Sequence, residues 1–375
     1  MLKATITPAP LALAGNPVQL SIYSSSVATY NIANIFTGSV DPGNTDIYIN
    51  EILQEILPVW SFDKITDEQK TKLIIPAAIS QLYTVDISNT EGDKLTLQST
   101  ILPGGVSKNT LRALLADNNN IFNFKLLNPS SNLFMTTRST GQFITMRETE
   151  FVPLLFLHPG GVIRVESRGI SIAIPSAEER KPYALNLPAI REKIFNEYNR
   201  LINRFDIYFD QNYAATILIT PGAITEARYI LEFKNSYGVY ERIEVSGTGS
   251  LEPESDEDNI IAEYDPEIND YVEKRDRRAS RDILQIETGY KTQEELIFLI
   301  DMLSSDDIRL LGYREHPIRC TASAEDLSLA LTSREPVSLH ITLRFVDKDS
   351  HFTGDVPLDF DDNRIHVDQF SQQFN

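Results

Sequence analysis

The sequence predicts a mainly β protein, a series of β domains with a few short helices as α+β insertions. Three observations predict it. Val337, Leu339, Ile341, Leu343 and Phe345 alternate with Ser338, His340, Thr342 and Arg344, the period-two pattern of a strand with one buried and one wet face. Similar short runs, punctuated by turn formers, recur along most of the chain. The residue clusters that catalysis requires are hard to find, which points to a protein that builds or binds.

Residues 1–75 read as a first small β domain. Val18, Leu20 and Ile22 share one face of a strand, and Asp41-Pro42-Gly43-Asn44 is a turn by residue type. A short strand over 46–49 leads into a helix over 51–57, where Ile52, Leu53, Ile56 and Leu57 recur at helical spacing until Pro58 ends it.

A second β-rich domain is expected over 76–180. Tyr83, Val85 and Ile87 alternate with polar residues, and Glu91-Gly92-Asp93 turns the chain back. Leu102-Pro103-Gly104-Gly105-Val106 breaks the strand, and Ser107 is placed to cap a helix running to Leu115. After a polar loop over 117–120, strands are expected at 121–127, 142–146 and 152–157, and His158-Pro159-Gly160-Gly161 makes another turn.

The third expected domain, 181–250, opens with the clearest helix. Ile190, Ile194, Tyr198, Leu201 and Ile202 form one stripe over 188–204, and Pro188 suits a first helical position. Strands at 214–220, 228–233 and 239–245 follow, the last two joined through Lys234-Asn235-Ser236-Tyr237-Gly238.

The composition changes over 251–282. Glu252, Glu254, Asp256, Glu257 and Asp258 open this stretch, and Lys274, Arg275, Arg277, Arg278 and Arg281 close it. Weak apolar patterning there reads as a mobile charged loop or linker. A C-terminal α+β domain is expected over 283–375. In it Thr292 and Glu295 form a capping box for a helix to Leu303, and strands follow at 318–321, 327–331 and 337–345. The tail beyond Phe352 is polar and acidic and reads as loosely ordered. No period of 20–50 residues repeats.

A chain of 375 residues suits two to four domains. Its net charge of −19 repels phosphate backbones, which argues against nucleic acid as a partner. Cys320, the single cysteine, excludes an internal disulfide and a Cys-rich metal site, and its strand-like setting reads as a small hydrophobe. No secretory signal is visible at the N-terminus, and no run approaches the ~20 apolar residues of a membrane span. The expected location is the cytoplasm, or a particle assembled there.

Chemistry is sparse. Gly104-Gly105-Val106-Ser107-Lys108 lacks the spacing of a phosphate-binding loop, and Ser246-Gly247-Thr248-Gly249-Ser250 falls short of a dinucleotide fingerprint. These are read as a turn and a strand exit. His158, His316, His340, His351 and His366 include no pair at i, i+4. Asp359, Asp361 and Asn363 imitate the start of a calcium loop, but Arg364 stands where glycine is needed. The basic cluster from Lys274 to Arg281 is interleaved with Asp276, which favours a solvated loop over a docking patch. Trp60 is read as core. No catalytic, cofactor-binding or metal-binding residue is assigned, and no cofactor is expected.

Several segments, in this order, resemble one family. Ala14-Gly15-Asn16-Pro17-Val18 and Asp46-Ile47-Tyr48-Ile49-Asn50-Glu51-Ile52-Leu53 look like the opening of a tail structural protein of tailed phages and prophages. The Pro-Gly-Gly element at 102–106 and the strand at 121–127 are similar too, as is the strand–turn–strand unit from Tyr229 to Gly249 with its Asn-x-Tyr-Gly turn. Leu303-Ser304-Ser305-Asp306-Asp307 ends a matching capped helix, before a closing hairpin.

The resemblance implies tandem immunoglobulin-like β-sandwich domains in a distal-tail-like virion component, near the tail tip, baseplate or fibre junction. It implies a homo-oligomeric ring of copies, neighbouring tail or fibre proteins as partners, and no catalytic motif. A carbohydrate- or receptor-binding adhesin, meeting a host-surface receptor, is the main rival. A glycan or cell-wall hydrolase working through two carboxylates is the weaker one.

Overall fold

The computed structural model describes residues 1–61, 65–116, 133–139, 141–175, 177–225, 227–255, 260–275, 280–312, 316–324 and 336–347. The protein is mainly β, with its strands in several sheets and a few helices. It divides into two compact units. One comprises Met1–Met146, Phe151–Thr220 and Asn235–Glu241, and the other Arg147–Glu150, Pro221–Lys234 and Arg242–Asn375.

In the first unit, Gln19–Ser24 lies between Leu2–Thr7 and Gly43–Tyr48 in an antiparallel three-stranded sheet. A five-stranded sheet runs Leu11–Leu13, Lys94–Leu102, Gln81–Asn89, Ala28–Ile32, Phe36–Val40. Alternation decides which side chains turn inward. Leu20 and Ile22 from the first sheet and Tyr30, Ile32, Tyr83, Val85 and Ile87 from the second share one core, as the inner faces of a sandwich do.

A further five-stranded sheet, Phe143–Arg147, Asn212–Thr220, Arg204–Phe209, Ile163–Ser167, Ile170–Ile174, shares a core with strands Leu154–Leu157 and Pro182–Leu185 and with the helix Leu187–Tyr198. That helix begins where the Asn186 side chain accepts from Ala189 N–H. It stops at Tyr198, well before the expected Arg204. Asn199 adopts φ 50° and its N–H bonds Phe195 O, a left-handed C-terminal stop, so Ile202 is buried from outside the helix.

The expected boundaries at 75 and 180 do not coincide with this division. Tyr30 pairs with Ile87, and Ile74 pairs with Leu185. Strand pairing joins residues remote in sequence, and turn composition carries no record of it.

The second unit holds one seven-stranded sheet in the order Tyr240–Ser246, Arg228–Lys234, Ile308–Leu311, Ile318–Ala324, His340–Phe345, Ser280–Glu287, Gly249–Ser255. Its two outermost strands are joined by Gly247 and Thr248. Seven flat strands would separate those edges by about 29 Å. Three Cα steps span at most about 11 Å. The sheet therefore curls until its edges approach at that end. Leu296, Phe298, Leu299 and Met302 of the helix Gln293–Leu303 join its core.

The stretch 251–282, expected as a mobile charged loop, contains paired strands. Gly249–Ser255 pairs with Ser280–Glu287, and Ile260–Asp265 pairs with Asp270–Arg275 in a two-stranded sheet of its own. Charged side chains are compatible with strands whose faces meet solvent, so charge alone did not exclude pairing. The expected strands at 121–127 and 327–331, the polar loop at 117–120, the tail beyond Phe352 and the calcium-like Asp359, Asp361 and Asn363 lie outside the described residues.

Candidate functional site

Three segments that carry the family resemblance meet within the first unit. Gly15 N–H donates to Gly104 O at 2.8 Å, and Gly105 N–H donates to Ser236 O at 2.8 Å. Asn16 exchanges two bonds with Val106, donating from Nδ2 to its carbonyl at 2.9 Å and accepting its N–H at Oδ1 at 2.8 Å. Space enforces glycine here. Gly104 has φ 75°, and a Cβ on it would lie 2.1 Å from the Tyr237 carbonyl carbon. Gly238 has φ 73°, and a Cβ there would lie 2.6 Å from Pro103 Cβ. The Pro-Gly-Gly element, expected as a turn, is also a backbone docking seat. Ser107 Oγ accepts from Thr110 N–H at 3.2 Å and starts the helix Lys108–Ala116.

Asn235 organises the turn that docks there. Its Oδ1 accepts from Tyr237 N–H and Val239 N–H, while Nδ2 donates to Met135 O at 3.0 Å and to Glu241 Oε2 at 2.7 Å. Glu241 Oε1 also accepts from Thr136 Oγ1 at 2.8 Å and Arg138 Nε at 3.3 Å. Asparagine supplies an acceptor toward the backbone and a donor toward the carboxylate at once, a combination unavailable to aspartate.

A second buried polar cluster, in the other unit, escaped sequence reading. Glu244 is 0% exposed and Lys291 1%. Glu244 Oε1 accepts from Arg147 Nη1 at 2.7 Å and Ala223 N–H at 2.9 Å, and Oε2 accepts from Thr149 Oγ1. Glu150 accepts from the N–H groups of Glu244 and Arg147, and Lys291 Nζ donates to Glu244 O at 2.6 Å. Burial pushes the Lys291 ammonium below the ordinary lysine value, with Glu150 opposing and Arg147 adding to the shift. Burial would lower the Arg147 guanidinium too, but its bond to Glu244 and the charges of Glu150 and Glu295 outweigh this and raise it.

Every oxygen of Glu244 and Glu150 accepts a hydrogen bond from within the chain. The cluster ties separate segments together. Its residues lie far apart in sequence without shared spacing, and no local signal could have found them.

His158 is fully buried, with Nδ1 accepting from Gly160 N–H at 3.1 Å and rings of Phe156, Tyr183 and Phe209 around it. His340 is exposed on the wet face of its strand, with Nε2 3.3 Å from Glu287 Oε1. Cys320 is buried, and desolvation pushes its thiol up to about 12, so it acts as a small hydrophobe. Trp60 packs, half-buried, against a core cluster. Ser246–Ser250 links the two outermost strands of the curled sheet.

Among the described residues no group of three or more His, Cys, Asp or Glu side chains is arranged to hold a metal ion, and no helix is long and apolar enough to cross a membrane. No protein-family model matches the chain, and no curated protein matches it in sequence.

Proposed function

We propose that this chain is a non-enzymatic structural subunit of a phage or prophage-derived tail, near the tail tip, baseplate or fibre junction. It would work through contacts with other copies in a ring and with neighbouring tail or fibre proteins. The observation that carries the reading is the docking of the Ala14–Pro17, Pro103–Val106 and Asn235–Gly238 segments on one another. These segments, which resemble the family, have a joint structural reason to be as they are. The paired sheets of the first unit, sharing one core, support immunoglobulin-like sandwiches there. The buried carboxylates support a non-catalytic role, because their oxygens are occupied by internal donors.

In this reading rigid β units present edges and loops to their neighbours, and the protein resides in the virion after assembly in the host cytoplasm. Electron microscopy and light scattering of the purified full chain at high concentration test it. Rings or higher assemblies are expected. A monomer at all concentrations that also fails to join any particle would overturn the reading, and sharp specificity on a glycan array would favour the adhesin instead.

A further inference from the structure

The outer ribbon of the second unit, Ile260–Asp265 with Asp270–Arg275, is built from two strands in register from Ile260↔Arg275 to Asp265↔Asp270. These two strands form a sheet of their own, separate from the seven-stranded one. Among the described residues, then, no strand lies along the outer edge of Asp270–Arg275.

A two-stranded ribbon by itself is marginal in water. This one also exposes apolar side chains on both faces. Ile260 (57% exposed), Tyr264 and Tyr271 (67%) lie on one face, with the two rings edge to face at 5.5 Å, and Ile261 and Val272 lie on the other. Unpaired edges of this kind are templates for another strand.

Charge selects the strand that fits. The tip is acidic, with Asp265, Glu267 and Asp270, whereas the far end of the second strand carries Lys274 and Arg275. If ribbons of successive copies lay side by side in the same direction, Asp265 of one would adjoin Asp270 of the next, and like charges in cross-strand positions are destabilising. Self-pairing of Ile260–Asp265 in the antiparallel sense sets Asp265 against isoleucines, with no basic residue in the strand. Self-pairing of Asp270–Arg275 sets Asp270 of each copy against the Lys274–Arg275 end of the other. A twofold axis repeats that match.

We propose that two copies of this chain join by antiparallel pairing of their Asp270–Arg275 strands, which turns two ribbons into one four-stranded sheet. Val272 then sits at or beside the twofold axis, with Tyr271 and Glu273 flanking it. The pairing is independent of the tail reading, since it follows from the ribbon's register and charge alone.

Sedimentation of the full chain, compared with charge variants, tests it. The wild type should show a species of twice the mass that is removed on charge reversal. Asp270→Arg alone and Lys274→Asp with Arg275→Asp should each halve that mass, and combining all three substitutions should restore it. Circular dichroism of each variant should match the wild type, and the melting temperature of the variants should fall only by the stability that association adds. The dimer should also weaken as salt is raised. A wild type that is monomeric, or an assembly whose mass no charge variant changes, would overturn the pairing. A ring that persists in every variant would do so while leaving the tail reading standing.

Discussion

At the scale of single residues, the docking seat depends on a missing side chain. Gly104→Ala adds a Cβ at 2.1 Å from the Tyr237 backbone, in a left-handed conformation. Steric overlap and the φ penalty together cost about 3 kcal/mol or more, and a urea titration should show the loss in the first unit's unfolding. Asn235→Asp keeps the acceptor for Tyr237 and Val239 but replaces a donor with a second carboxylate facing Glu241. Its effect should approach that of Asn235→Ala, although it is nearly isosteric. His158 supplies a pH dependence. Burial holds its imidazole below the ordinary 6.5, with Glu179 opposing. A group depressed in the fold gives its full stability above the unfolded value, and that stability falls as pH drops from about 6.5 toward the folded value. His158→Phe should flatten the slope of the melting temperature between pH 7 and 5. Gly104 and Asn235 stood out in sequence as turn formers. What they touch was invisible, because Gly104 and Tyr237 are brought together only by the fold.

At the scale of elements, legibility followed how strongly one face is buried. The strand His340–Phe345 alternates cleanly because Ile341, Leu343 and Phe345 enter a core. The ribbon strands do not alternate, because both their faces are exposed and neither must be apolar. The helix Gln293–Leu303 was legible from its start. Thr292 Oγ1 accepts from Glu295 N–H, and Glu295 Oε2 accepts from Thr292 N–H at 2.8 Å. Thr292→Ala should cost about 1 kcal/mol, read as a lowered melting temperature. The end of Leu187–Tyr198 was misread because Leu201 and Ile202 continue the apolar stripe past Asn199, which stops the helix through its own backbone.

At the scale of the whole molecule, each core cluster lies within one of the two units. Two transitions are expected in scanning calorimetry. Phe205→Ala, in one core cluster of the first unit, and Leu299→Ala, in that of the second, should each lower a different one, by about 3–5 and 2–5 kcal/mol respectively. A single transition shifted equally by both substitutions would contradict separate cores. The β class was legible in sequence, whereas sheet order was not. The outermost strands of the curled sheet are near neighbours in sequence, and its adjacent strands Arg228–Lys234 and Ile308–Leu311 are remote.

Ser255 and Ser280 already stand opposite each other in the hairpin that belongs to the curled sheet. Ile260–Asp265 and Asp270–Arg275 form a sheet of their own and take no part in the seven-stranded one. A two-residue Asn-Gly turn replacing 256–279 matches the twist of the flanking strands and leaves the sheet's other strand pairings in place. The ribbon can therefore be shortened, lengthened or exchanged by mutation without refolding the seven-stranded sheet, so a change in how copies meet need not disturb the core.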